Sequence, residues 1–419
     1  MTGSVGRWPQ WAMNSLRADL RWSVIGQAGF LCAQAGVIVA LAHLAPLSDV
    51  GRYGIAVSSS AIVYLAASFG LRLGLATDPA GLRRTGIYLA LRGVTTLTAL
   101  TLLLTAAAVT AVYDTRLGLM LAMVALVRGG ESVSDLFYGV FQKAGRVDCL
   151  AWSLLLRGAG GLAGFGVTLV LSGSVPLALA AQGMVWWAVA LGHDARRAAQ
   201  FVSLRPEFGP GYLRGLAREN VTLGLANLLS EVGTSAPRLI VGALLSLPLA
   251  GIYTAVGYVL VLGTAFAAAL GHAMTMRLAW AWQMGRASCF VQLTTRFVGV
   301  LALLGLVGVS LAVLLGGPLL RLVLGQGYAG HELLLVLMCV VLALRLPVAG
   351  LQTALIAQRR FAVHAWLRFW VAIGVIAGCA LGALTGGLEG VALALIVVSL
   401  IQLPVLSHIV LGSRPDART

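Results

Sequence analysis

Runs of about 20 apolar residues, separated by short polar segments, recur from end to end of the chain without the period-two alternation of membrane strands. A run of that length crosses a hydrocarbon core of about 30 Å as a helix, and in lipid only helices or closed barrels satisfy their own backbone. The pattern predicts an all-α integral membrane protein of about twelve transmembrane helices. They are placed at roughly 22–43, 53–75, 86–112, 117–141, 148–172, 175–193, 216–244, 249–275, 289–316, 331–350, 361–384 and 388–411. The first run follows Arg7, Arg17 and Arg21, is longer than a signal-peptide core and has no small-residue cleavage site after it, so it is expected to stay as a span.

The composition agrees: 419 residues, 59% hydrophobic and 10% charged, far from the balance of a soluble domain. The formal net charge of +15 changes the picture only through its placement. Arg83, Arg84, Lys143, Arg146, Arg196, Arg197, Arg205, Arg214, Arg218, Arg277, Arg286, Arg359, Arg360, Arg414 and Arg418 all fall on the side of the predicted spans that holds the N-terminus. The opposite connections carry Arg52, Arg116 and Arg321. Cytoplasmic loops collect Lys and Arg, so both termini are expected in the cytoplasm and the protein in the bacterial cytoplasmic (inner) membrane. The charge reads as topology, and no nucleic-acid partner is expected.

Two halves echo each other across a connection at 196–215. Leu47, Gly51 and Tyr53 recur as Leu247, Gly251 and Tyr253; Arg92, Arg128 and Arg157 find counterparts in Arg296, Arg345 and Arg368. This predicts an N-terminal six-helix lobe at 1–195, a cytoplasmic linker at 196–215 and a C-terminal six-helix lobe at 216–419, arranged as parallel repeats around a central cavity.

Eight arginines fall inside predicted spans: Arg72, Arg92, Arg128, Arg157, Arg238, Arg296, Arg345 and Arg368, accompanied by Glu131, Asp135 and Glu231. A charge at mid-helix costs about 2.5–3.5 kcal/mol on the insertion scale, so each is expected to face a partner or a wet cavity. On the fourth span Arg128, Glu131, Asp135, Tyr138 and Gln142 share an arc of about 80°; on the seventh, Asn220, Asn227, Glu231, Thr234 and Arg238 share about 60°. Smaller stripes are Ser60, Tyr64, Ser68 and Arg72, Gln27 with Gln34, and Arg345 with Gln352. Internal salt bridges such as Arg128–Glu131 or Glu231–Arg238 would absorb some of this charge, but eight arginines exceed three carboxylates. The excess points to an anionic ligand, and guanidinium forks suit phosphate or diphosphate. The substrate path is therefore assigned to Arg72, Arg128, Arg157, Arg238, Arg345 and Arg368, with Gln34, Tyr138, Gln142, Asn227 and Gln352 as further cavity residues. Glu131, Asp135 and Glu231 are candidates for a proton- or sodium-responsive group.

The sequence Arg128, Glu131, Ser134, Asp135, Tyr138, Gly139, Gln142, followed by Arg157 and Gly158, resembles the polysaccharide flippases of the multidrug, oligosaccharidyl-lipid and polysaccharide exporter superfamily. The Gly51–Tyr53 turn, its repeat at Gly251–Tyr253 and the Pro237–Arg238 pair extend the resemblance over most of the chain. It implies two six-helix bundles and transport of an undecaprenyl-diphosphate-linked anionic saccharide to the outer leaflet by alternating access, for cell-surface polysaccharide biosynthesis. The second half departs from a symmetric pattern: Pro347 or Val348 and Gln352 stand where Glu131 and Asp135 would recur.

A multidrug and toxin exporter of the same fold is the alternative cargo reading, and a polytopic polysaccharide polymerase or ligase the alternative class. Cationic drugs prefer acidic linings, and an outer-face enzyme needs a sizeable outer loop, whereas the longest here, about 317–330, is short. No phosphate-binding Gly-rich loop ending in Lys and Ser or Thr is present, so no nucleotide drives the process, and neither a cofactor nor a metal is expected. The cysteines (Cys32, Cys149, Cys289, Cys339, Cys379) lack paired spacing, and the histidines, His193 among them, read as packed or interfacial. Trp152, Trp186, Trp187, Trp280, Trp282, Trp366 and Trp370 are assigned to membrane-interface belts.

Overall fold

The computed structural model describes residues 10–78 and 85–412, and every regular element among them is helical. In chain order these are α1 (Gln10–Leu44), α2 (Leu47–Ser68), α3 (Leu71–Thr77), α4 (Thr85–Tyr113), α5 (Thr115–Lys143), α6 (Val147–Ser172), α7 (Val175–Ala188) and α8 (Ala195–Ala198). The second half has α9 (Pro210–Leu244), α10 (Leu247–Val256), α11 (Tyr258–Gln283), α12 (Ala287–Val323), α13 (Glu332–Ala357) and α14 (Phe361–Leu411). Ten of the described helical stretches are long and apolar enough to cross a membrane. The last contains two spans, because Gly386 and Gly387 leave helical geometry in mid-run and fold α14 back on itself. The seventh predicted span is helical within α9 but carries too many polar residues to count by hydropathy. The twelve expected spans are thus present. The orientation residues Arg7, Arg83, Arg84, Arg414 and Arg418 lie outside the described residues.

One predicted span is broken. The stretch 53–75 divides at Phe69 (φ 46°) and Gly70 (φ 64°) into α2 and α3. Glycine enters this left-handed region without the Cβ penalty of other residues, which makes the bend affordable. The stripe Ser60, Tyr64, Ser68 and Arg72 is accordingly not one face of one helix: Ser68 donates to its own Leu65 carbonyl, whereas Arg72 sits beyond the bend on α3.

The chain forms two compact units. The first combines α1 up to Val37 with Val63–Gly224; the second combines Ile38–Ile62 with the chain from Leu225 onward. Packing therefore reassigns the end of α1 and most of α2, which chain order places in the first half. In the first unit α5 packs against α3, α4 and α7. Its core is built on Leu71, Tyr88, Leu136, Phe141, Leu154 and Leu216. The connection after α8 is docked on this core through Phe201 and Leu204, and the Glu207 amide donates to the Gly86 carbonyl at 3.0 Å. In the second unit α13 takes the position of α5, packed against α11, α12 and α14 around Phe290, Leu351, Leu355, Leu367 and Leu406. The fourth and tenth spans are the central helices of their units.

Within the second unit, the starts of α2 and α10 cross with reciprocal contacts. A Cβ added at Gly51 would overlap the Leu247 carbonyl oxygen, and one at Gly251 would overlap the Leu47 carbonyl oxygen. The obstacle is backbone on both sides, so it has no rotamer with which to yield. Gly51→Ala and Gly251→Ala should each destabilise the protein by about 3 kcal/mol, at the upper end of overpacking costs. Thermal unfolding of the purified variants measures this, and equal losses are expected because the two contacts are mirror images.

Candidate functional site

The first unit pairs its intramembrane charges. Asp135, on the inward face of α5, accepts from Arg92 NH2 on α4 at 2.8 Å and from Arg72 NH1 on α3 at 3.3 Å. Arg92 also reaches Ser132 Oγ at 3.3 Å, and Arg72 reaches Gln142 Oε1 at the same distance while lying 5.4 Å over the Tyr138 ring. One turn away on α5, Glu131 accepts from Arg128 at 2.6 Å and lies 3.6 Å from Arg157 of α6. Arg157 is among the most deeply buried side chains, at 1% exposure. Its guanidinium stacks 4.1 Å from the Trp186 ring centroid and donates to the Tyr138 hydroxyl at 3.0 Å. Cation–π contact of this kind gains strength once desolvated. The predicted stripe on α5 is therefore real, and it serves as the acidic strip to which four arginines are tied. This corrects the assignment of Trp186 and Trp187 to an interface belt: Trp186 is buried on Arg157, and Trp187 donates its indole N–H to the Leu126 carbonyl at 2.8 Å.

The second unit contains a cavity of about 560 Å³. Its charged lining consists of Arg238 from α9, Arg345 from α13 and Arg368 from α14, with His364 one turn from Arg368 and no carboxylate among the lining residues. Arg368 donates to Ser230 Oγ at 2.9 Å and to Gln352 Oε1 at 2.7 Å, leaving its Nε buried without a partner. Tyr253, Thr234, Thr264, Thr275, Thr353 and Ser399 add hydroxyls to walls otherwise made of Leu, Val and Ala. Glu231, one turn from Thr234 on α9, does not neutralise this cluster; its carboxylate accepts from Ser235. The alternative pairing of Glu231 with Arg238 is not formed among the described residues.

The asymmetry follows from the repeat. Arg128 and Arg157 of the first half correspond to Arg345 and Arg368, and the same register sets Gln352 against Asp135 and Val348 against Glu131. The second half has the cations without these acids. Four arginines share two carboxylates in the first unit, whereas three line one cavity of the second with no carboxylate in its lining. Of the predicted path residues, Arg238, Arg345, Arg368 and Gln352 line it together. Arg72, Arg128, Arg157, Tyr138 and Gln142 belong to the paired network of the first unit. Asn227 is exposed, and Gln34 is half-buried with its side-chain nitrogen unpartnered. The α9 stripe does not act as one surface: Asn220 lies in the first unit and bonds its own helix at Leu216, whereas Thr234 and Arg238 face the cavity in the second. Arg296, the counterpart of buried Arg92, is exposed on α12. Several lining residues escaped the sequence reading of the site: Tyr253 was visible in the repeat, whereas Ser230, Thr264, Thr353 and Ser399 carried no signal of their own.

No family model matches the chain. Among curated proteins, the capsular polysaccharide biosynthesis protein CapF of Staphylococcus aureus is 22% identical over 333 residues, covering 78% of this chain and 82% of that protein. Among solved structures, an inward-facing multidrug resistance MATE family transporter of the MOP superfamily superposes with a TM-score of 0.75 at 12% identity, over 92% of this chain and 95% of that one. A MOP-superfamily transporter from Pyrococcus furiosus, described by the reversed polarity of its binding pocket, gives a TM-score of 0.63 at 13% identity over 95% and 96%. The chain has the fold of the MATE transporters, a multi-pass membrane architecture of two lobes. Its resemblance to the polysaccharide exporters of that superfamily is met by a relative named for capsule biosynthesis.

Proposed function

We propose that this transporter carries an undecaprenyl-diphosphate-linked anionic saccharide across the cytoplasmic membrane, and that the cavity of the second unit holds its phosphates. The observation that carries the proposal is the set of three guanidiniums, Arg238, Arg345 and Arg368, around about 560 Å³ with no acid in the lining. Like charges gathered in a low-dielectric site repel one another, so the cluster favours whatever brings negative charge between them. A diphosphate does so with several oxygens in forked geometry, and hydroxyls such as those of Ser230 and Thr234 suit a sugar. A cationic drug would add to the repulsion, which is why the multidrug reading is not adopted. In this scheme the first unit is the lobe whose intramembrane arginines are held by carboxylates, the connection at 196–215 joins it to the binding lobe, and both termini lie in the cytoplasm.

The test is mass spectrometry of the lipid extract from a strain lacking the protein, with assay of its surface polysaccharide. Diphosphate-linked saccharide should accumulate while surface polymer is lost, and the wild-type gene should reverse both. Unchanged lipid and polymer would end the proposal. A sharper version uses Gln352→Asp, which restores the first half's acid beside Arg368. This variant should be as abundant as wild type yet fail to restore export, because the cavity then supplies its own counter-ion.

A further inference from the structure

The last turn of α7 is widened: Val189–Asp194 is a π-helical segment, the only one among the described residues. Such turns insert a residue into the helix at a local cost and recur at functional sites. Here the turn places Asp194, with 0% exposure, against α6, and His193, one-fifth exposed, beside it. Among the described residues, no guanidinium forms an ion pair with the Asp194 carboxylate. Its Oδ1 meets His193 Nδ1 at 2.8 Å and its Oδ2 accepts from Ser153 Oγ at 2.9 Å. From Ser153 the chain continues to the Tyr138 hydroxyl at 2.8 Å and then to Arg157 at 3.0 Å.

Hydrogen-bond direction fixes what this chain does. With Asp194 ionised, each link has one polarity: Arg157 donates to Tyr138, Tyr138 to Ser153, and Ser153 to the carboxylate. A proton on Oδ2 makes Asp194 the donor. The Ser153 hydroxyl, no longer donating to Asp194, is then free to donate to Tyr138, whose oxygen it shares with Arg157. The hold of Tyr138 on Arg157 weakens, and with it the stack on Trp186. A proton shared with His193 acts on the same bond by drawing the carboxylate's charge away from Ser153.

We propose that Asp194 and His193 form a proton-holding site of the first unit, connected through Ser153 and Tyr138 to Arg157, and that proton coupling enters the lobe there rather than at Glu131 or Asp135. Those two carboxylates are each contacted by two arginines, which occupy their oxygens. The pair is surrounded by few competing charges. α5 contributes Tyr138; α6 contributes Arg157, with Cys149 and the Arg146–Asp148 pair near its start; the following turn contributes Arg196 and Arg197. The partly exposed imidazole gives the proton its way in, and imidazole is the side chain that ordinarily changes charge near neutrality. Use of the site for coupled transport rests on the transporter reading above; the existence of the site does not.

Trp186 is a built-in reporter. In purified protein, tryptophan fluorescence should show one reversible step as the pH is lowered. The step should be lost in Trp186→Phe, which assigns it, in Asp194→Asn, and in Ser153→Ala, which cuts the chain without touching a titratable group. Should Asp194→Asn not fold, His193→Gln serves in its place and should lose or displace the midpoint. A step that survives Asp194→Asn, keeps its midpoint in His193→Gln, is indifferent to Ser153→Ala, or is missing in the wild type would overturn the proposal. Because no cargo is present, a normal fluorescence step beside unchanged lipid-linked saccharide in the deletion strain would refute the polysaccharide reading alone.

Discussion

Replacing Arg345 and Arg368 together by glutamine is expected to abolish saccharide export while leaving the purified protein as stable as the wild type, or more so. Both guanidiniums line the cavity with no carboxylate partner among the described residues, so their removal strands no opposite charge. Unlike the usual truncation of a buried ion pair, it relieves repulsion. Binding sites built for a charged ligand commonly trade stability in this way. The functional loss should be large, because each charge-assisted contact to a desolvated anion is worth about 2–5 kcal/mol, or roughly 30-fold to several thousand-fold in affinity. Export of labelled saccharide, protein abundance and thermal unfolding, measured on the same preparation, separate the two effects. Normal export would dismiss the cavity as the anion site; a large fall in unfolding temperature would mean that the arginines have structural partners after all.

Asp135→Asn should do the opposite. Arg92, 3% exposed, relies on Asp135 at 2.8 Å, and Arg72 shares the same carboxylate. Removing the negative charge leaves Arg92 uncompensated in the interior, which costs about 3–5 kcal/mol. The expected result is a marked drop in unfolding temperature and in the amount of protein in the membrane. Adding Arg92→Met to Asp135→Asn should recover much of the loss, since an apolar side chain of similar length needs no counter-ion. A double variant no better than the single one would show that Asp135 acts through Arg72 instead. The same residue type thus has opposite consequences in the two halves, and the difference lies in what stands one or two turns away.

Hydropathy made most of the fold legible, because lipid leaves a spanning helix few alternatives and charges 2.5–3.5 kcal/mol or so for each exception. It failed at local backbone events. The bend at Phe69–Gly70 and the turn at Val189–Asp194 leave apolar content unchanged, so nothing in residue type or period announces them. In the site, the arginine excess and the α5 stripe were readable from helical spacing. Which arginines are neutralised was not, because partners such as Asp135 and Arg92 are 43 positions apart and meet only through packing. The register between halves held a stronger clue: a retained arginine opposite a lost acid marks where charge is left open. Asp194 looked like part of a solvated connection because it precedes Arg196 and Arg197, yet it is fully buried.

The crossing of Gly51 and Gly251 has a consequence for how such a chain can arise and change. A six-helix chain associating with a second copy of itself would make this contact as an isologous interface, each glycine opposite the other copy's carbonyl. Joining two copies end to end keeps the contact and releases the rest of each copy from identity, which is how one half could shed the acids its twin retains. At the crossing itself that freedom is missing: a side chain admitted on either copy meets the backbone of the other. Two halves that differ in charge are thereby held to one shared backbone geometry at this crossing.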